Sequence, residues 1–355
     1  MRKIVFLAGG TLGHIYPTIS FINSLDRKKY QIMLIVTKKD KRFNIEEKVT
    51  EVDIKYIEAY GANRKNLFNI IIKNINAYHK IKQILKDFKP NIVIGMGGYI
   101  SGIGIYSAIR LKIKTIIHEQ NSIMGLANKL VYKKVDRLLV SYKMNLKNEL
   151  YIGNPRYIDS KNYVHKKSFI SNKNNLLFIS GSLGSKRINE LVVEFINSEL
   201  SNKYFITVIT GEKYYEDVKK RIYKNNVLLI PKTSNMLEHI SNNDIIISRS
   251  GSSSIFEILG RKKVSILIPS PNVTNNHQEY NSKLVSDNSL GEVILEKDLS
   301  LEYFVEVLNR INKDYQKYIN NLNNFDMPET NKLFIDCIKE LTGDFNEWFY
   351  WLFSI

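Results

Sequence analysis

The sequence predicts an α/β protein built of two Rossmann-like domains in tandem, each around a parallel sheet. Three observations carry this. Short apolar runs rich in β-branched residues recur, and several lead into a pattern of helical period. The alternation breaks at a polar stretch, 159–175, rich in Asn, Lys and Ser, and then restarts. Three of the strand-to-helix junctions are glycine turns. A chain of 355 residues with 44% hydrophobic content has enough apolar material for two cores.

In the first half, residues 4–8 read as a buried strand that meets Gly9-Gly10 and leads into a helix over 15–25. The run is too short for the apolar region of a signal peptide. Residues 31–37, 92–95 and 114–117 read as further buried strands. The segment 90–109 invites a second reading, because it carries no charge over 20 positions between Lys89 and Arg110, enough to cross a bilayer. It also contains Gly95, Gly97, Gly98, Gly102 and Gly104, each costing about 1 kcal/mol in a helix interior. The preferred reading is a strand, a glycine loop and a helix from about Ser101. In the second half, 176–179, 205–210, 227–230, 244–248 and 264–268 read as strands alternating with helices. The predicted domains are 1–160 and 161–328, with a C-terminal helix and tail, 329–355, returning to the first.

The charge is uneven. The chain carries 52 Lys and Arg against 35 Asp and Glu, a net +17. Residues 1–165 hold 29 basic and 12 acidic side chains, whereas residues 166–355 hold 23 of each. A basic first half points to nucleic acid, an anionic membrane surface or an anionic substrate. Basic motifs with interleaved aromatics are absent, so nucleic acid is not expected as a partner. The single cysteine, Cys337, excludes an intrachain disulfide framework and a cysteine-based zinc site, and suits a reducing compartment.

The glycine turns carry the chemistry. The first is Gly9-Gly10-Thr11-Leu12-Gly13-His14, the second Ser180-Gly181-Ser182-Leu183-Gly184-Ser185, the third Arg249-Ser250-Gly251-Ser252-Ser253-Ser254 with Glu257 on the helix that follows. A strand ending in glycines before a helix N-terminus can cradle a diphosphate, and such turns also serve packing alone. Neither the G-x-G-x-x-G nor the P-loop pattern is present. Phosphate beside the three serines and sugar hydroxyls on Glu257 would describe a nucleotide-sugar. A serine cap with a glutamate complementing the helix dipole is the plainer alternative.

With these turns, His14 in Gly-Gly-Thr-x-Gly-His, Gly97-Gly98-Tyr99-x-Ser101-Gly102, His118-Glu119-Gln120-Asn121, Gly153-Asn154-Pro155, Gly181-Ser182-x-Gly184 and Arg249-Ser250-Gly251 with Glu257 stand in the order and spacing of the MurG family. The resemblance runs from about residue 4 to 290. It implies a GT-B fold, two Rossmann-like domains facing across a cleft. It also implies an inverting transfer of N-acetylglucosamine from UDP-N-acetylglucosamine to undecaprenyl-diphosphate-linked muramoyl-pentapeptide, in peptidoglycan synthesis at the cytoplasmic face of the bacterial cell membrane.

Carried over by position, Glu257 would hold the ribose hydroxyls, Ser252, Ser253 and Ser254 the diphosphate, Ser182 the phosphates, Gln278 the sugar and Thr233 the uracil through its backbone. Thr11, Leu12, Gly13 and Asn121 would approach the donor sugar from the other domain, and Arg156 would contact the donor. His14 is the candidate base, since an imidazole with a reference pKa near ~6.5 can take a proton at neutral pH; Glu119 is the reserve. The helix N-terminus at Ser252 would stabilise departing UDP without a metal or other cofactor, and the sequence contains no Asp-x-Asp motif. The chain departs from the family at several points. Leu12 replaces a glycine, Ile103 a proline, Leu183 a glutamine and Glu279 a second glutamine, and Arg156 follows Pro155 with no residue between. Another GT-B enzyme with a lipid acceptor, or an epimerase acting on the same UDP-sugar, stays open. Peripheral membrane contact is expected from 67–88, where isoleucines mix with lysines, and the aromatic tail 348–353 could join it.

Overall fold

The computed structural model describes residues 1–61, 67–165, 174–181 and 184–343, with the backbone alone at 67–69. Ser182, the linker residues 166–173 and the aromatic tail lie outside the described residues.

The first sheet contains seven parallel strands among the described residues: β1 (Arg2–Leu7), β2 (Tyr30–Thr37), β3 (Val52–Ile57), β4 (Ile92–Gly95), β5 (Lys114–Glu119), β6 (Arg137–Val140) and β7 (Glu149–Tyr151). Their order is β3-β2-β1-β4-β5-β6-β7, with Ile4 opposite both Ile32 and Ile92. Helices α1 (Leu12–Ser24), α2 (Leu67–Phe88), α3 (Tyr99–Arg110) and α4 (Leu126–Val131) connect them. Strands β1 and β4 are covered on both faces, which is why their sequences are almost continuously apolar. Strand β3 alternates exposed Asp53 and Lys55 with half-buried neighbours, a weaker signal that sequence reading passes over. The glycine-rich segment resolves as β4, a turn and α3 starting at Tyr99, and among the described residues no helix is long and apolar enough to cross a membrane.

The second sheet is a parallel six-stranded one: β8 (Asn174–Ile179), β9 (Tyr204–Ile209), β10 (Val227–Ile230), β11 (Ile245–Ser248), β12 (Val264–Leu267) and β13 (Gly291–Val293), in the order β10-β9-β8-β11-β12-β13. Around it run α5 (Pro155–Lys161), α6 (Lys186–Asn197), α7 (Tyr215–Lys220), α8 (Met236–Asn242), α9 (Ser252–Gly260), α10 (His277–Ser286) and α11 (Leu301–Asn324). Phe178, Phe195 and Phe304 pack with ring centroids 5.2–6.2 Å apart and tie β8, α6 and α11 into one core.

The chain divides into one compact unit of Met1–Pro155 with the described residues from Met327 on, and another of Arg156–Asp326. The boundaries fall a few residues before the 160 and 328 read from sequence, and packing gives the reason for the first. Gly260, at the end of α9, has no side chain, so the backbone of α5 comes close: a Cβ there would meet Tyr157 O at 2.6 Å. Ser160 Oγ donates to Glu257 O at 2.5 Å, and Arg261 Nη1 to Ser160 O and Tyr163 O. Nearly all of α5 therefore belongs to the second unit.

The last described helix, α12 (Thr330–Thr342), belongs to the first unit. Phe334 stacks on Phe21 of α1 at 4.0 Å and sits with Cys337 and Ile338 in the core beneath β1. Arg137 pairs with Glu340, and Arg2 donates to Thr342 O. Burying a Phe or Ile side chain stabilises by roughly 1.5–3 kcal/mol, so Phe334 and Ile338 hold the helix in place. Burial pushes the Cys337 thiol up to about 12, which leaves it a packing group.

Candidate active site

In each sheet the strand order reverses next to its first strand, at β1/β4 and at β8/β11. Loops leaving the carboxyl ends of two such strands diverge and open a crevice, the usual ligand position in open parallel sheets. All the glycine turns read from the sequence leave these ends.

In the first unit the turn after β1 is held by a residue that sequence reading missed. Asp40, fully buried, accepts from Gly10 N at 3.1 Å, Thr37 N at 3.0 Å and Thr37 Oγ1 at 2.6 Å. Gly10 has φ +93°, which favours glycine. Thr11 is the N-cap of α1 and makes no side-chain cap, while its carbonyl accepts from His14 N at 3.1 Å and Ile15 N at 3.2 Å. Thr11 and Gly13 are exposed, and Leu12 and His14 half-buried.

His14 Nδ1 lies 3.2 Å from Gln120 Oε1. Gln120 Nε2 donates to Met96 O at 2.8 Å and approaches His118 Nδ1 at 3.2 Å. His118 Nε2 lies 3.4 Å from Gly153 O and 3.3 Å from Ser141 Oγ, which in turn accepts from Asn154 Nδ2. Complete burial lowers the His118 pKa to about 4 and keeps it neutral at ordinary pH. The ends of β1, β4 and β5 thus meet in one polar network roofed by His14.

Glu119 is 2% exposed, and both its oxygens are engaged. Oε1 accepts from Asn121 N at 3.1 Å and Nδ2 at 3.4 Å, and Oε2 from Gly125 N and Asn128 Nδ2, each at 2.9 Å. Its contacts organise the 121–125 loop and the start of α4. A base must reach the proton it removes, and these contacts hold Glu119 on the loop instead. Asn121 is fixed by the same carboxylate.

In the second unit, α9 begins at Ser252 behind Gly251, which provides no side-chain cap. The first turn of α9 carries no acidic residue, so the positive end of its dipole is uncompensated from within the helix. Ser253 Oγ is buried without a hydrogen-bond partner, and Ser254 is half-buried. Glu257, one turn on, is 7% exposed, and its Oε1 accepts from Arg156 Nε at 2.9 Å and Nη2 at 2.7 Å. Arg156 Nη1 donates to Asp159 Oδ2 at 2.7 Å. Arg156 in the first turn of α5 engages Glu257, while Tyr157 is fully buried and donates its hydroxyl to Asp326.

Arg249 ties the second and third turns together. Its guanidinium donates to Ile268 O, Pro269 O and Ser185 Oγ and pairs with Glu296. Ser185 caps α6 by accepting from Ile188 N. Gln278 Oε1 accepts from Ser270 N at 2.9 Å, and its carbonyl accepts from Ser250 Oγ. Thr233 Oγ1 accepts from Asn235 N in the turn before α8, apart from this hydrogen-bonded group. The structure therefore gathers His14 and Asn121 with Glu119 in one unit, and Arg156, Glu257 and Gln278 with the serine turn in the other.

Two family models match the chain, the glycosyltransferase family 28 N-terminal domain over residues 4–140 and the family 28 C-terminal domain over 175–336. An N-acetylglucosamine transferase from Bacillus thuringiensis subsp. konkukian, named for UDP-N-acetylglucosamine and N-acetylmuramyl-(pentapeptide) pyrophosphoryl-undecaprenol, is 34% identical over 333 residues, 88% of this chain and 91% of that one. The Oenococcus oeni protein of the same name is 36% identical over 319 residues, 84% and 85% of the two chains. The crystal structure of Acinetobacter baumannii MurG superimposes with a TM-score of 0.78 at 20% identity, covering 96% of this chain and all of that one. This is the two-sheet GT-B fold, and the chain belongs to the MurG family of family 28 glycosyltransferases.

Proposed function

We propose that the protein transfers N-acetylglucosamine from UDP-N-acetylglucosamine to muramoyl-pentapeptide diphospho-undecaprenol. The observation that carries the reading is the identity of 32–36% to transferases of that name over more than four-fifths of the chain. His14 acts as base: the acceptor hydroxyl gives its proton to the imidazole as the new oxygen–carbon bond forms at the anomeric carbon. The bond from that carbon to the diphosphate breaks, and UDP leaves with the electron pair.

The second unit holds the donor. Arg156 and Arg249 already face carboxylates, so the diphosphate is held by the N–H groups and hydroxyls of Ser252, Ser253 and Ser254 at the start of α9. Glu257 takes the ribose hydroxyls, since a carboxylate has about four acceptor sites and Arg156 uses two. Gln278 and Asn121 face the sugar, and Thr233 the uracil. The scheme assigns no step to a metal ion; abolished UDP binding in chelator would overturn that part.

The chain acts as a peripheral membrane protein at the cytoplasmic face. Ile71, Ile72 and Ile75 on α2, Tyr106 on α3 and Leu126 and Leu130 on α4 are 44–74% exposed. Lys80, Lys129, Lys133 and Lys134 on the same unit are exposed as well. Apolar side chains among lysines suit an anionic lipid surface. The deciding experiment is transfer of labelled sugar from UDP-N-acetylglucosamine to the lipid acceptor, with other UDP-sugars as controls. Transfer from a different donor, or none to this acceptor, would overturn the reading.

A further inference from the structure

We infer that Gln120 is a positioning residue that locks His14 in the Nδ1–H tautomer, so that Nε2 is the nitrogen that takes the acceptor proton. The inference rests on the role proposed for His14 above. It starts from a group in the network whose hydrogen-bonding sense cannot change. Met96 O is a backbone carbonyl and only accepts, and it lies 2.8 Å from one end of the Gln120 amide. That end must be the nitrogen. Turning the amide over would set two oxygens against each other at a site where Gln120 is 2% exposed and water cannot repair the loss.

Every other proton follows. The second hydrogen of Gln120 Nε2 faces His118 Nδ1 at 3.2 Å, so that nitrogen accepts. His118 then carries its hydrogen on Nε2, where Gly153 O and Ser141 Oγ stand 3.4 and 3.3 Å away. The low pKa imposed on His118 by burial agrees with a single hydrogen on that ring. At the other end Gln120 Oε1 can only accept, and the atom 3.2 Å from it is His14 Nδ1. A neutral imidazole has one N–H. Here it is on Nδ1, and the lone pair is on Nε2.

The ring is also held sterically. Gly97 has φ +99°, and a Cβ on it would lie 2.4 Å from His14 Nδ1 and 2.5 Å from Cε1, so the imidazole packs directly on the Gly97 backbone. The partner is an amide rather than a carboxylate, and this has a chemical consequence. When His14 becomes an imidazolium, Gln120 still accepts from Nδ1–H but cannot take the proton onward, so the proton must leave from Nε2, where it arrived. The network orients the base without relaying charge into the core.

The test reads the tautomer directly, by long-range ¹H–¹⁵N NMR of the full-length protein labelled in its histidine rings, with the His14 signals assigned by their loss in His14→Ala. At a pH above the titration of His14, the wild-type ring is expected as Nδ1–H. In Gln120→Met, which keeps the length and removes the amide, the ring is expected to move to a mixture dominated by Nε2–H. The same variant should lose tenfold or more in kcat with donor KM within about twofold, a split that general loosening would not produce. Nε2–H in the wild-type protein overturns the inference even if the variant does not fold, as does an unchanged tautomer in Gln120→Met. Full kcat in His14→Ala overturns instead the role of His14 on which it rests, and the two failures are read by different experiments.

Discussion

The two units carry their site residues in opposite electrostatic styles. In the first, His118, Gln120, Ser141 and Asn154 are all at most 2% exposed and are linked by neutral donors and acceptors, although this unit carries most of the chain's excess of positive charge. In the second, which carries only a small net charge, the site is made of ion pairs: Arg156 with Glu257 and Asp159, and Arg249 with Glu296. A neutral buried network suits a task that depends on where one proton sits. Charged pairs that pre-orient a carboxylate suit the repeated binding and release of a polar nucleotide. The contrast matches the proposed scheme, in which proton transfer falls to one unit and donor binding to the other.

The largest effect should come from removing the base. His14→Ala is expected to lower kcat by about 10²–10⁴, the usual contribution of general base catalysis, with the donor KM nearly unchanged. Steady-state kinetics with both substrates varied checks this. A rise in donor KM at constant kcat would break the division of labour, because His14 would then be a donor ligand.

Acid stability should separate the units next. The pKa of His118 in the fold is about 4, against an ordinary value near 6.5, so the fold favours the neutral ring. Above pH 6.5 both folded and unfolded chains leave it neutral and stability is fully present. As pH falls from 6.5 to 4, the unfolded chain takes up a proton that the folded one refuses, and about 1.4 kcal/mol is lost per unit, approaching about 3 kcal/mol below pH 4. Protection factors of the amides of β1, β4 and β5, which correct exchange for its intrinsic pH dependence, should fall over that window more than those of β8 and β11. An equal fall in both sheets would mean that His118 is not the controlling group.

These two tests concern residues that were unequally legible beforehand. The buried strands, the glycine turns and the position of His14 are visible in the sequence because apolar period and glycine spacing are local signals. Gln120 stands in a recognisable block, but its role depends on Met96, 24 residues before it, and on His14, 106 residues before it, which only the sheet order brings together. Asp40 is hidden for the same reason: it reads as part of a charged run, Lys38 to Arg42, and only the parallel pairing of β1 and β2 places it under the first glycine turn. Glu119 was legible as a site residue and not as one whose four contacts are all to its own loop and helix.

In the second unit, Glu257→Gln should weaken binding of UDP by about 10- to 100-fold, the range for losing hydrogen bonds to a charged group, with kcat at saturating donor little changed. Calorimetric titration of UDP checks it. An unchanged dissociation constant would remove Glu257 from the donor site and leave it as a structural partner of Arg156.

The smallest effect should come from Asp159→Ala, and it tests how Glu257 is oriented. Asp159 holds Nη1 of Arg156, whereas Nε and Nη2 remain on Glu257 Oε1. The Asp159 side chain is 32% exposed, so solvent screens the pair and its contribution to stability is at most about 1 kcal/mol. UDP affinity should change less than about threefold, because two hydrogen bonds still align the carboxylate. If Asp159→Ala instead weakens UDP as much as Glu257→Gln does, the guanidinium is held by both acids jointly. The donor site would then depend on a charge network as cooperative as the neutral one in the first unit, and the contrast between the two would be one of charge alone.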